Sequence, residues 1–175
     1  IGAGTDAYYM PDNLGNARNM GFEIDVVKYI RHFGLKANYT YTHSKITTSN
    51  RQYQQGSAEY EKGVTQSRPL VNQAPHTANL PLLYKDTQHG WNAQLAASYT
   101  GTRMALVSPF KDADQWDKAM FGLDLSAEKQ WPCSLSVFVK ANNLLDAKRE
   151  RYLKTVNKSN LEYEGQRADR TIVGT

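Results

Sequence analysis

The feature that most constrains this chain is a two-residue alternation of apolar and polar side chains, repeated in six separate runs. In "GLKANYTYTHS", Gly34 to Ser44, Leu35, Ala37, Tyr39 and Tyr41 alternate with Lys36, Asn38, Thr40 and Thr42. Successive side chains leave a strand on opposite faces, so a strand with one face hidden from water reads this way. Phe22, Ile24 and Val26 share a parity against Glu23 and Asp25, and Ala78, Leu80, Leu82 and Tyr84 do so against Thr77, Asn79 and Lys85. Trp91, Ala93, Leu95, Ala97 and Tyr99 oppose Asn92, Gln94, Ser98 and Thr100. Phe121, Leu123, Leu125 and Ala127 oppose Asp124, Ser126 and Glu128, and Leu135, Val137, Val139 and Ala141 oppose Ser136, Lys140 and Asn142. A seventh strand is expected from Arg167 to Thr175. What lies against the apolar face decides the fold: a second sheet, as in a soluble sandwich, or lipid, as in a membrane barrel.

Composition leaves both options open. The 175 residues suffice for one domain, and the mean hydropathy of -0.65 suits a water-soluble protein. No stretch approaches the roughly 18 apolar residues of a membrane helix. A barrel with a polar lumen and polar loops dilutes its own average, so strands remain available for crossing. The net charge of +4 is spread among acidic residues, which argues against a nucleic-acid surface. Cys133 is the single cysteine and has no disulfide partner or metal-ligand spacing. The chain opens on Ile-Gly-Ala-Gly without a signal peptide, and reads as the interior of a longer polypeptide. Residues 4–19, "GTDAYYMPDNLGNARN", with Gly, Asp, Asn and Pro at turn-like density, read as the loop entering the first strand.

The connections favour lipid. Short turns are expected at Arg31–Gly34, Asp86–Gly90 and Gln130–Cys133, alternating with long polar loops near 45–75, 103–118 and 145–166. Outer-membrane barrels segregate their connections in this way, with tight periplasmic turns and long extracellular loops. Trp91 and Tyr99 bracket small apolar residues on one face. Eight residues at ~3.3 Å span roughly 26 Å, or about 20 Å along the membrane normal after a ~40° tilt. That height approaches the apolar band of such a barrel. Lys28 and Lys129, on the apolar parity, fall near strand ends where a long side chain can snorkel. The lumen is then lined by Lys36, Gln94, Asp124 and Lys140, with Phe22, Leu82, Leu95, Leu123 and Val137 turned to lipid.

"VFVKANNLLDAKRERYL" adds a resemblance. An apolar strand running into Asn143-Leu144-Leu145-Asp146, with Tyr152 a few residues on, resembles the penultimate-strand signature of TonB-dependent outer-membrane receptors. "ANYTYTHSKI", Arg68-Pro69-Leu70, "NLPLLYKD" and "GWNAQLAASYTG" resemble the barrel strands of the same family in order and spacing. The resemblance implies an all-β, antiparallel transmembrane β-barrel, of which residues 1–175 form the C-terminal part: about the last seven strands of 22. The plug domain, the energy-coupling box and the earlier strands are absent from the sequence, and the last strand lacks the aromatic residue that ends the family's barrels. The implied function is uptake of a bulky, scarce ligand, an iron-siderophore or haem in type, by a multi-pass protein of the outer membrane. Its partners would be the remainder of the receptor, the TonB complex acting through the plug, outer-membrane lipid and a surface lipoprotein. A passive porin and a soluble β-sandwich that binds carbohydrate are the alternatives.

Loop residues Arg51, Tyr53, Tyr60, Arg68, Phe110 and Trp116 are the candidates for ligand contact, since Arg and aromatic side chains supply bidentate donors and contact area. Glu23, Asp25, Asp124, Glu128 and Lys140 are candidates for facing a plug inside the lumen. His43 and His76 stand at opposite ends of one loop, but no further ligand accompanies them at a telling spacing, so neither a metal nor a cofactor is expected. Nothing in the sequence forms a catalytic constellation, and no enzyme activity is expected.

Overall fold

The structure, a computed structural model, describes residues 16–53, 60–108, 113–153 and 171–173, with side chains described for 16–49, 65–108 and 113–153. Every regular element among them is a strand: β1 (Ala17–Ile30), β2 (Phe33–Tyr53), β3 (Tyr60–Arg68), β4 (His76–Asp86), β5 (Trp91–Thr100), β6 (Arg103–Leu106), β7 (Gln115–Asp117), β8 (Met120–Gln130), β9 (Ser136–Ala141), β10 (Glu150–Leu153) and β11 (Thr171–Val173). The larger sheet runs β1-β2-β4-β5-β8-β9, all antiparallel, with β3 pairing the far end of β2. Among the described residues this sheet is open, with β1 and β9 at its edges.

Register turns the alternation of each strand into one continuous face. Leu35 stands opposite Leu82, Leu82 opposite Leu95, Leu95 opposite Leu125, and Leu125 opposite Ala141. The other parity forms an equally continuous polar row, in which Asp25 faces Asn38, Asn38 faces Asn79, Asn79 faces Ser98 and Ser98 faces Gly122. A slip of one residue in any pair would push polar side chains into the apolar row, so the pattern itself fixes the register.

No second layer covers the apolar face among the described residues. Phe22 keeps 52% of its surface exposed, Leu82 46% and Val137 50%. The buried apolar residues among those described, Ala74, Met104 and Ala105, all lie beyond the outer strand ends. A sandwich would bury the Leu35–Leu125 row against an opposing sheet. The observed face is built to meet lipid. No helix among the described residues is long and apolar enough to cross a membrane.

Both rims of the apolar band carry aromatic residues. At the outer end Tyr39 stacks on His76 at 6.2 Å and its hydroxyl lies 2.8 Å from His76 Nδ1, while Phe22 and Tyr41 meet at 5.6 Å. His76 is thus engaged by a tyrosine on its own face of the sheet. At the inner end Phe33 packs against Tyr84 at 5.1 Å. Lys129 Nζ lies 4.9 Å from the Trp91 ring and 5.8 Å from that of Trp131, and donates to the His89 carbonyl. The lysine on the apolar parity therefore has its charge held over two indole faces at the membrane rim.

Two sequence expectations are corrected. The long connections are not simply loops: β2 continues to Tyr53 and pairs with β3, and 103–117 contains β6 and β7. Twenty-one residues of β2 reach roughly 70 Å, far beyond the 9–11 residues that a bilayer asks of a strand, so the hairpin rises above the membrane. The polar, non-alternating sequence of this extension concealed it, because a strand wetted on both faces has no period to read. The expected final strand is described only as β11, which pairs with β10 and not with β9. The small sheet β11-β10-β7-β6 sits at the outer end, where β5 passes into β6 and β7 into β8.

Arginine at Leu95 should cost about 2–4 kcal/mol of barrel stability, because it would stand mid-band on the lipid face. Arginine at the neighbouring Gln94 should change it little. Urea titration of the receptor in liposomes measures both, and equal losses would indicate a face packed against protein.

Candidate functional site

Two regions can meet a ligand or partner: the polar face of the larger sheet and the cap above its outer end. On the polar face, one amide serves two carboxylates. Asn38 Nδ2 donates to Glu23 Oε1 at 2.6 Å and to Asp25 Oδ1 at 2.8 Å, so both acids are tied to the wall. Asp124 is engaged too, accepting the Asn143 backbone N–H at 2.7 Å. Glu128 and Lys140 make no hydrogen bond or ion pair among the described residues. They line a groove of about 300 Å³ with Asn92, Gln94, Ser126 and Phe138.

The polar face is not polar throughout. Val27, Tyr29, Leu83 and Phe138 carry the lumen parity near the inner ends of their strands, and Phe138 is 77% exposed. Tyr29 lies over Gly34, where a Cβ would stand 2.6 Å from its ring. Glycine there lets the ring lie flat across the hairpin. The sequence signal was present: Phe138 breaks the alternation of "SLSVFVKANN" by adding a large apolar residue to the polar parity.

The Asn-Leu-Leu-Asp motif forms a strap from β9 to β10. Asn143 adopts a left-handed conformation with φ 54°, as does Asp146 with φ 48°. The Asn143 side chain closes the turn twice, accepting from Ala147 N at 2.8 Å and donating to Ala147 O at 3.3 Å, while Leu144 N reaches Leu123 O at 2.8 Å. Asparagine suits this position because its short amide bonds locally and tolerates positive φ. The strap delivers Arg149, Glu150 and Arg151 to the cap.

In the cap, charge replaces apolar packing. Arg68 on β3 is buried, with Nη1 3.1 Å from Asp114 Oδ1, and the same oxygen accepts Ser108 N at 2.8 Å. Asp117 on β7 is flanked in register by Arg103 and Arg151, whose Nε atoms lie 3.5 and 2.8 Å from its two oxygens. Burial pushes the Asp117 carboxyl up, yet Arg151 and, at longer range, Arg103 and Arg149 outweigh it and hold its pKa below the usual carboxylate value. Lys118 reaches Glu150 at 2.6 Å.

Measured against the sequence candidates, the structure takes Arg68 out of the surface set: its guanidinium is buried and committed to Asp114. Trp116 is half-buried in β7, opposite Met104 and Tyr152. Arg51, Tyr53 and Tyr60 belong to the β2–β3 hairpin, with side chains outside the described residues, and Phe110 lies outside them altogether. Glu23, Asp25, Asp124, Glu128 and Lys140 share the polar face by register. Sequence reading missed Asp114, Asp117, Arg103, Arg149 and Arg151, whose grouping depends on three connections meeting in space.

Removing either partner of the Arg68–Asp114 pair should destabilise the cap by about 3–5 kcal/mol, since the other charge is left buried and alone. Removing both should cost less than the sum of the single changes, which a double-mutant cycle in the folded receptor measures. The pH dependence of the cap follows from Asp117. A depressed folded pKa stabilises above the unfolded value of 3.8 and is lost as pH falls through the folded one. Hydrogen exchange at 103–106 and 150–153 should therefore quicken below about pH 4, and Asp117→Asn should remove that acid step.

The comparisons with known proteins agree with this architecture. The family model described as TonB dependent receptor-like, beta-barrel, matches residues 1–144. No curated protein and no solved structure matches the chain. The chain belongs to the TonB-dependent receptor-like β-barrel family, a family of outer-membrane transporters.

Proposed function

We propose that this chain forms wall and outer loops of an energised importer for a bulky, scarce ligand, an iron-siderophore or haem in type. The observation that carries the reading is the pairing of a lipid-ready apolar face with a lumen face on which Glu128 and Lys140 make no hydrogen bond or ion pair among the described residues and Phe138 is largely exposed. A plug supplied by the remainder of the receptor would rest on these groups and on the apolar inner band of Val27, Tyr29 and Leu83. The open edges at β1 and β9 call for further strands, because unpaired backbone groups in hydrocarbon cost several kcal/mol each. The residues here would provide wall and loops, and the TonB complex would act through the plug. Ligand capture falls to the β2–β3 hairpin with Arg51, Tyr53 and Tyr60, and to Phe110 between β6 and β7 with Trp116 on β7. A surface lipoprotein would sit over the same loops.

Uptake by cells carrying the whole receptor decides the matter. Import of radio-iron-loaded siderophore or haem should stop when the proton-motive force is collapsed or TonB is removed. Uptake that persists under both treatments would reassign the barrel to passive diffusion.

A further inference from the structure

Three guanidinium groups gather round one buried carboxylate at the outer end of the lumen face. Asp117, its side chain 6% exposed, is surrounded by Arg103, Arg149 and Arg151, all three close enough to lower its pKa. Lys118 is matched by Glu150, so the excess is two positive charges. Asp117 engages the Nε atoms of Arg103 and Arg151, leaving their terminal Nη donors without a hydrogen bond among the described residues. Arg149 is exposed and makes no hydrogen bond among them at all. The two oxygens of Asp117 account for one nitrogen each of Arg103 and Arg151. Arg149 and the remaining donors of Arg103 are not explained by holding the cap together.

Between these groups lies a cavity of about 110 Å³, lined by Thr100, Arg103, Asp117, Lys118, Met120 and Arg149. Thr100 and Met120 are register partners on the lumen parity, directly continuing the column of Ser98 and Gly122. The cavity thus stands where the lumen opens outward, and its size suits a single carboxylate or phosphate. The geometry points to an oxyanion subsite at this mouth, which binds an acidic group of the transported ligand through Arg149 and the free Nη donors of Arg103. Guanidinium forks match the spacing of paired oxygens, and a site partly shielded from water strengthens each contact. Asp117 serves as the orienting anion that fixes the two flanking arginines. The assignment to the transported ligand rests on the proposed import; the anion site itself rests only on the cavity and its charges.

The test uses the whole receptor in nanodiscs of zwitterionic lipid and titrates inorganic phosphate by calorimetry at low salt. Phosphate should bind, weaken as sodium chloride is raised, and weaken about tenfold further in Arg149→Ala, with Arg149→Lys recovering part of the loss. Neutral trimethyl phosphate should not bind. Arg149 holds no strand, and unchanged circular dichroism should confirm that the sheet persists. No phosphate binding, or binding indifferent to Arg149, overturns the site. Displacement of phosphate by added lipopolysaccharide would assign the site to lipid phosphate and overturn its role for the ligand. Phosphate binding without energised uptake would sink the import reading and leave the anion site standing.

Discussion

The antiparallel hydrogen-bond ladder is the constraint on which the rest of the molecule depends. In hydrocarbon no water is present to satisfy a stray N–H or C=O, so each strand must find its partners along its whole length. From β1 to β9 each strand pairs with the next, with one interruption where Pro81 faces β2, and the register locks parity as it goes. Once Leu82 stands opposite Leu95, Gln94 and Asn79 have only the other face to occupy. The two environments of the wall follow from one register. The mid-strand charges gather on a single side, and the charged residues on the apolar parity stand toward the strand ends: Lys28, Asp86 and Lys129 at the inner rim, Arg18 and Lys45 at the outer one.

Above the membrane the source of stability changes. The cap has few apolar residues to bury, and Met104, Ala105 and Ala74 are its whole described core. Ion pairs take over the positioning: Arg68 with Asp114 joins the first outer hairpin to the second, and Arg151 with Asp117 joins the second to the strap behind β9. Removing water from such pairs costs free energy that the pairing only partly returns, so they fix geometry more than they add stability. A receptor mouth needs placed polar groups more than a greasy core, and a charge-built cap supplies them.

The wall and the cap also differ in how residues are committed. Several side chains that look functional in sequence turn out to hold the scaffold: Asn38 neutralises the crowding of Glu23 and Asp25, Asp124 anchors the Asn143 turn, and Arg68 is buried. Among the described residues, Glu128, Lys140 and Phe138 low in the lumen, and Arg149 with the Arg103 fork beside the cap, are not committed in this way. Site prediction from residue type alone cannot make this distinction, because an arginine that binds a ligand and one that clamps a loop have the same letter.

The sequence by itself determined the faces, the strand positions and the tight inner turns, since a period of two survives in the letters wherever one side meets lipid and the other water. It also carried the Asn143–Asp146 motif, whose turn chemistry is local enough to read. The outer half of β2, with β3, β6, β7 and β10, was decided only by tertiary structure. Those strands are wetted or paired irregularly, so no alternation marks them. The grouping of Asp117 with Arg103, Arg149 and Arg151 was likewise invisible: these residues lie up to 48 positions apart, and no spacing in the sequence brings them together. Only the meeting of the β6–β7 hairpin with the strap behind β9 does so, because cross-strand register places Arg103 and Arg151 on either side of one carboxylate.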